Sequence, residues 1–425
     1  LWVGRVGAEA VAAISISFPL VFLLIAVAAG LTIAGTAIIS QYKGAGGHEE
    51  INKVLGQLYS FIGLVSFIIA IVGFLFAERM IALMGAEPAL IGQAAGYIKV
   101  IFVGMPFMFG FFIFSSVLRG IGDTVTPAIM MFCSVVLNMI LDPLLIFGIG
   151  IFPELGVQGA AVATIFSRAV VTLITIYILI KGTKGIKLKL ENMKPDFEII
   201  KLITRIGVPS SLEQSMIALG QLFMTSLVAS FGTMTLAAYG IVNRIISLPV
   251  ILAFGLAAAA TTMVGQNVGA DKKERAEKTA QVSLITIFIS LTIIGLIIII
   301  NPDLVVGLFN KDPQVLKYGG NYLRIVALTF GFIGVMNVGN GVFKGAGRTV
   351  PPMVISSLSQ WVLRVSIGYV LARSLGLNQV GLWWAIALAN IIGAVVGVIW
   401  LRISDWSTRI VKRKKPEVKL ALEDN

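Results

Sequence analysis

The chain has 425 residues, 57% of them hydrophobic and only 13% charged, with a mean hydropathy of +0.95. This is far too apolar for a soluble globular protein and marks a polytopic helical membrane protein, in which a net charge of +12 reflects basic loops rather than nucleic-acid binding. A single cysteine, Cys133, rules out an intrachain disulfide, a single histidine, His48, rules out an intramembrane His-based metal site or Ser-His-Asp triad, and the lack of a G-x-x-x-x-G-K-[ST] sequence rules out a nucleotide-driven motor.

Apolar runs predict spanning helices at about 10–40, 54–77, 98–118, 128–150, 157–180, 202–230, 235–264, 279–300, 322–343, 351–372 and 381–401, eleven in all. The runs at 10–40 and 235–264 exceed the length of a span, with Pro19 and Pro249 as kink points. Loops sort by charge. About 23 Lys and Arg lie around 41–53, 119–127, 181–205, 265–278, 344–350 and in the tail, against about seven in the alternate loops. The asymmetry places the first set and the C-terminus in the cytoplasm. The tail's Lys412-Arg413-Lys414-Lys415 reads as a topology signal, with unspecific lipid binding as the alternative. The expected organisation is an N-terminal lobe over 1–181, a linker over 182–201, a C-terminal lobe over 202–403 and a basic tail over 404–425.

The lobes are two copies of one unit. Shifted by 225 positions, Gly7, Gly30, Gln41, Gly44 and Ala45 fall on Gly232, Gly255, Gln266, Gly269 and Ala270. Tyr97 and Lys99 fall on Tyr322 and Arg324, and Arg119-Gly120-Ile121-Gly122 on Lys344-Gly345-Ala346-Gly347. One register held over such a length is a duplication, a device typical of secondary transporters. The second copy opens with a helix at 202–230 whose counterpart would precede residue 1, so the chain reads as a twelve-helix design lacking its first span. The Gln-x-x-Gly-Ala sequences at Gln41 and Gln266 read as helix ends, with the glutamines lining an inner mouth. Arg119–Pro127 and Lys344–Pro352 read as tight turns before helix starts, a phosphate-binding nest being the alternative.

Chemistry concentrates at Asn138-Met139-Ile140-Leu141-Asp142-Pro143, inside the apolar run at 128–150. A carboxylate near the middle of a spanning helix costs about 2.5–3.5 kcal/mol on insertion scales and is a functional candidate by default. Asn138 shares its face one turn away, and Pro143 deprives a carbonyl one turn earlier of its donor. An acid, an amide and a freed carbonyl suit a proton or cation. Glu213 is a second acidic candidate, read either as a further ion site or as a residue snorkelling to an interface. Arg168, Arg244 and Arg364 are the basic residues at membrane depth, and Arg244 and Arg364 are expected to pair with acids or reach an interface. Phe107, Phe109, Phe111, Phe112 and Phe114 suit either a cavity wall for organic cations or simple packing.

These motifs, with Gly156-x-x-Gly159-Ala-Ala-x-Ala-Thr164, together resemble the multidrug and toxic compound extrusion (MATE) family over essentially the whole chain except the final tail. The Asn138-x-x-x-Asp142-Pro143 sequence is similar to the DinF-like branch. The resemblance implies an all-α fold of two six-helix bundles related by a pseudo-two-fold axis. It also implies a cation site in the N-terminal lobe containing Asn138 and Asp142, with Thr164 as a further member. An Asp of the family's first helix would fall just before Val3-Gly4-Arg5-Val6-Gly7, outside this chain.

The expected function is a secondary antiporter of the cell membrane, monomeric, exporting amphipathic, cationic organic compounds in exchange for H⁺ or Na⁺ by alternating access. It needs no cofactor, is not an enzyme and binds no nucleic acid; its partners are small organic substrates and membrane lipids. The alternative is a flippase for a lipid-linked saccharide or other lipid precursor, which should line its cavity with several Arg or Lys. A channel or a membrane enzyme fits less well: Asp142 falls on Ile367 in the second copy, and no cluster of reactive side chains is visible.

Overall fold

The computed structural model describes residues 2–182 and 184–412, and long helices account for most of them. In the first copy, α1 spans Ala8–Gly44 and α2 His48–Leu83. Helices α3 (Pro88–Val103) and α4 (Met105–Ile121) form one span bent by 46° at Gly104, where Pro106 in the first turn of α4 cannot supply an amide to the preceding turn. Helices α5 (Val125–Phe147) and α6 (Gly156–Lys181) complete the copy. In the second copy, α7 (Phe197–Ala229), α8 (Thr233–Gly269) and α9 (Lys273–Ile300) precede a pair, α10 (Pro313–Ala327) and α11 (Phe330–Gly345), bent by 54°. Helices α12 (Val350–Ser374) and α13 (Asn378–Ile403) follow.

Among the described residues, eight helices are long and apolar enough to cross a membrane, and the two bent pairs raise the number to ten. The sequence predicted eleven spans. The eleventh, α7, has 33 residues but carries Glu213, Gln214 and Gln221, and its length is not matched by apolarity. It packs most extensively against α1 of the other copy. Helix α12 also departs from its counterpart: its hydrogen bonding is π-type over Leu358–Ile367 and Val370–Ser374, whereas α5 is α-helical throughout.

The duplication is repeated at the level of single interactions. Thr36 donates to the Ser116 carbonyl at 3.0 Å, and its counterpart Thr261 to the Gly341 carbonyl at 2.8 Å. Lys99 pairs with Glu78 at 2.6 Å, and Arg324 with Asp303 at 2.5 Å. Buried apolar residues form two clusters. One is drawn mainly from α1–α4, with Ile203 and Ile206 from the start of α7; the other runs from Met224 in α7 to Trp406. Helix α7 therefore contributes to both.

The two copies meet in a reciprocal clasp at the end of the bundle that carries the basic loops. Gln41 Nε2 donates to the Gly345 carbonyl at 3.1 Å, and Gln266 Nε2 donates to the Gly120 carbonyl at 3.2 Å. A Cβ on Gly44 would land on the Gln266 carbonyl oxygen, and one on Gly269 would land on that of Gln41. Thr262 adds a bond to the Arg119 carbonyl at 2.9 Å, and the Ile410 amide donates to Gln41 Oε1 at 3.0 Å. The sequence reading had the glutamines lining a mouth. Gln41 is instead fully buried between the copies, because the paired glycines let the helix ends approach closely enough to satisfy its amide. Of the basic tail, Trp406 and Val411 are buried, while Arg413, Lys414 and Lys415 lie outside the described residues.

The linker between the copies is pinned to α2. Gln57 Nε2 donates to the carbonyls of Asn192 at 2.7 Å and Lys194 at 2.6 Å, and its Oε1 accepts from the Asp196 amide at 2.9 Å. At the linker's start, Lys184 bonds Asp123, which also accepts from the Val125 and Thr126 amides at 3.1 Å and so caps α5. Burial alone would raise the Asp123 pKa, but the bonds from Lys184 and Thr126 outweigh it and hold it down at about 2.

Two outcomes follow from these contacts. Because the pKa of Asp123 is lowered on folding, its stabilisation is complete above the ordinary carboxylate range and drains as pH falls from there through about 2. Asp123→Asn should flatten that acid limb in thermal unfolding of the purified protein, and Asp123→Ala should cost about 0.5–2 kcal/mol as a lost cap. Gly44→Val or Gly269→Val should hold the clasp apart. In a Cys133→Ser background, a cysteine placed at the buried Ser40 should then label with a maleimide several-fold faster; unchanged labelling would show that the glycines do not set the approach.

Candidate functional site

Helices α5 and α6 lie side by side, joined by a turn in which the Leu155 amide reaches the Leu145 carbonyl at 3.0 Å and Gly159 of α6 packs on the same carbonyl. This approach brings three sequence-predicted residues together. Asn138 Nδ2 donates to Asp142 Oδ1 at 3.0 Å and to Thr164 Oγ1 at 3.4 Å. Thr164 in turn donates to the Ala160 carbonyl at 2.9 Å, so its oxygen is fixed in place with its lone pairs toward Asn138. Among the described residues, Asp142 accepts this one side-chain hydrogen bond on Oδ1, leaving Oδ2 open. Pro143 leaves the Met139 carbonyl without its usual intrahelical donor, and Tyr97 of α3 lies within electrostatic reach of the carboxylate.

The site is not at the centre of its helix, as the sequence predicted. Asp142 lies five residues before the end of α5 at Phe147, and Asn138, Asp142 and Thr164 are all only partly buried. The apolar run continued past the true helix end, where Gly148 turns the chain in a left-handed conformation. A site near a helix end, at the side opposite the clasp, is cheaper to ionise and easier to reach from water than one at mid-membrane. Among the described residues, no group of three or more His, Cys, Asp or Glu could hold a metal ion. One carboxylate surrounded by neutral oxygens is a donor set for a proton or a monovalent cation.

Glu213 stands apart from this site. Only 1% exposed, it accepts from Lys344 Nζ at 2.9 Å and from Ser356 at 3.3 Å. Burial excludes the snorkelling reading, and Lys344 neutralises the charge. Of the arginines, Arg244 is exposed and Arg168 lies over the Phe111 ring at 5.5 Å. Arg364 was expected to pair with an acid or reach an interface. Instead, Nη2 donates to Asn390 Oδ1 at 2.6 Å and Nη1 to Gln360 Oε1 at 3.3 Å, while Asn390 Nδ2 donates to Thr329 at 3.0 Å. Gln360, Asn390 and Thr329 were not singled out from sequence. The available signal was the spacing of Gln360 and Arg364, one turn apart like Asn138 and Asp142. The phenylalanine cluster resolves toward packing: Phe109, Phe111 and Phe114 are buried in the interior.

Comparison with known proteins gives a consistent result. A family profile described as MatE matches residues 1–144 and 209–370. The chain is 31% identical over 385 residues to the probable multidrug resistance protein YoeA of Bacillus subtilis, covering 90% of this chain and 83% of that one. It is 28% identical over 392 residues to the multidrug export protein MepA of Staphylococcus saprophyticus, covering 92% and 84%. The crystal structure of MATE in the bent conformation superposes with a TM-score of 0.87 at 27% identity, covering 94% of this chain and 88% of that one.

The Glu213–Lys344 pair yields a stability test. Glu213→Ala leaves a buried, uncompensated ammonium and should destabilise by about 3–5 kcal/mol, whereas Glu213→Leu combined with Lys344→Met should recover most of the loss. Thermal unfolding of both variants checks this; equal destabilisation by the two would show that the pair's worth lies elsewhere.

Proposed function

The chain belongs to the MatE family of multidrug transporters, and from that premise we propose that it is a cation-coupled antiporter. It exports amphipathic, cationic organic compounds in exchange for H⁺ or Na⁺. The observation that carries the reading is the Asn138–Asp142–Thr164 cluster: a carboxylate with one oxygen engaged by an amide and the other open, beside a fixed hydroxyl and a freed carbonyl. A proton would sit on Asp142 Oδ2. A sodium ion would draw on that same oxygen and on the neutral oxygens of Asn138, Thr164 and Met139.

Ion occupancy neutralises Asp142 and so changes the cost of enclosing it in lipid and protein. Alternation then consists of rocking the lobe over 1–181 against that over 202–403, with the clasp opening and closing at the basic end, a cytoplasmic placement that the charge asymmetry supports. Opening it breaks the hydrogen bonds of Gln41, Thr262 and Gln266 between the copies and parts the apolar contact of α1 with the start of α7, a cost to which one coupled charge contributes about 2.3 kcal/mol per 100 mV. The multidrug names of the relatives support small organic substrates.

Efflux of tetraphenylphosphonium from cells expressing the protein tests the assignment. Asp142→Asn should lower gradient-driven efflux at least tenfold, and Thr164→Val should lower it by a smaller factor. Unchanged efflux in Asp142→Asn would remove the coupling role. In proteoliposomes, pH and Na⁺ gradients imposed separately identify the ion.

A further inference from the structure

The C-terminal copy holds a second polar centre, equivalent in construction to the first and opposite in charge. In the first copy an amide and a charged group one turn apart on α5 meet a residue of α6: Asn138, Asp142 and Thr164. In the second copy Gln360 and Arg364 on α12 meet Asn390 of α13. The links between helices span 26 residues in both cases, from Asn138 to Thr164 and from Arg364 to Asn390. The strict repeat equivalent of Arg364 is Met139, which faces outward at 64% exposure. The π-type turns of α12 change the helical phase and bring Arg364 inward.

Gln360, Arg364 and Asn390 line a cavity of about 60 Å³ with Gln221, Tyr239 and Tyr322, enough for a carboxylate-sized group. No carboxylate among the described residues pairs with Arg364. Two buried nitrogens of the lining side chains lack a partner, Arg364 Nε and Gln360 Nε2, and behind Tyr322 the ring of Trp383 stacks at 4.1 Å. Gln360 is only 3% exposed. Both nitrogens are donors. A chamber with an uncompensated guanidinium and a surplus of donors is complementary to an acceptor that carries negative charge.

We propose that this chamber binds a small anionic group, a carboxylate or a halide-sized ion, held by Arg364 between Gln360 and Asn390. The carboxylate would belong to a transported compound; the halide would be a free ion. In either case the lobes offer opposite charges in equivalent places, and the stacked Tyr239, Tyr322 and Trp383 form an aromatic wall beside the cationic one.

The test is binding to the purified protein and does not depend on transport, so it can fail or succeed independently of the coupling role of Asp142. Sodium formate, benzoate and bromide are titrated against gluconate at constant ionic strength, with thermal unfolding and tryptophan fluorescence as readouts. The wild type should respond saturably, and Arg364→Gln should weaken the apparent affinity at least tenfold. Tighter binding of benzoate than of formate identifies a substrate-borne carboxylate; a response to bromide alone identifies a free halide. If Arg364→Gln does not fold, Gln360→Leu, which keeps the guanidinium and removes a donor, should weaken binding several-fold. No saturable response in the wild type, or an equal response in the folded variants, would overturn the proposal.

Discussion

The structure depends on a contact that two glycines make possible. Gly44 and Gly269 leave no side chain between the ends of α1 and α8, so each helix end presses against the other's backbone. Gln41 and Gln266 then reach across to carbonyls of the opposite copy. Because the contact is built twice by the same residues, it is self-complementary, and it closes one end of the bundle. Each of these hydrogen bonds contributes about 0.5–1.5 kcal/mol net, so the polar part of the seal is modest. A fully interdigitated apolar seam at the same place would close the end with no economical way to reopen it.

Against that symmetric frame the two copies differ where chemistry is placed. They keep the same helix bends, the same threonine-to-carbonyl bonds and the same outer ion pairs. They diverge on the helix pair that closes each copy, where one carries Asp142 and the other Arg364. The difference rests on one helix phase shifted by π-type turns and on different side chains along the two helix pairs. The two copies thus carry polar groups of opposite charge on a shared scaffold, at positions offset in the repeat register.

Much of this was legible in the sequence because it rests on local or periodic signals. Hydropathy located the long helices, though it opened the bent spans at 98 and 322 where the structure opens them at Pro88 and Pro313; the shift of 225 aligned the copies, and Asn138 and Asp142 declared themselves by spacing and by the cost of an acid in an apolar run. What escaped was set by contacts between distant segments. Nothing local tells that Lys344 lies 131 residues from Glu213 yet 2.9 Å away in space, or that Gln41 is buried rather than lining a mouth. The inward aim of Arg364 was hidden by the repeat itself, since strict register places it over an outward residue and only a change of helix type reverses that. The end of α5 was overrun for a simpler reason: apolar residues continue through the turn after Phe147.

The central claim is that occupancy at Asp142 governs the clasp, some helical turns away at the opposite end of α5. Spin labels at the half-buried Lys43 and the exposed Lys272 flank the clasp, and the distance between them can be followed in nanodiscs by pulsed electron resonance as pH and Na⁺ are varied. The account predicts two distance populations whose ratio changes with the coupling ion, and no such change in Asp142→Asn. A distribution that ignores both ions in the wild type, or that responds equally in the variant, would contradict it.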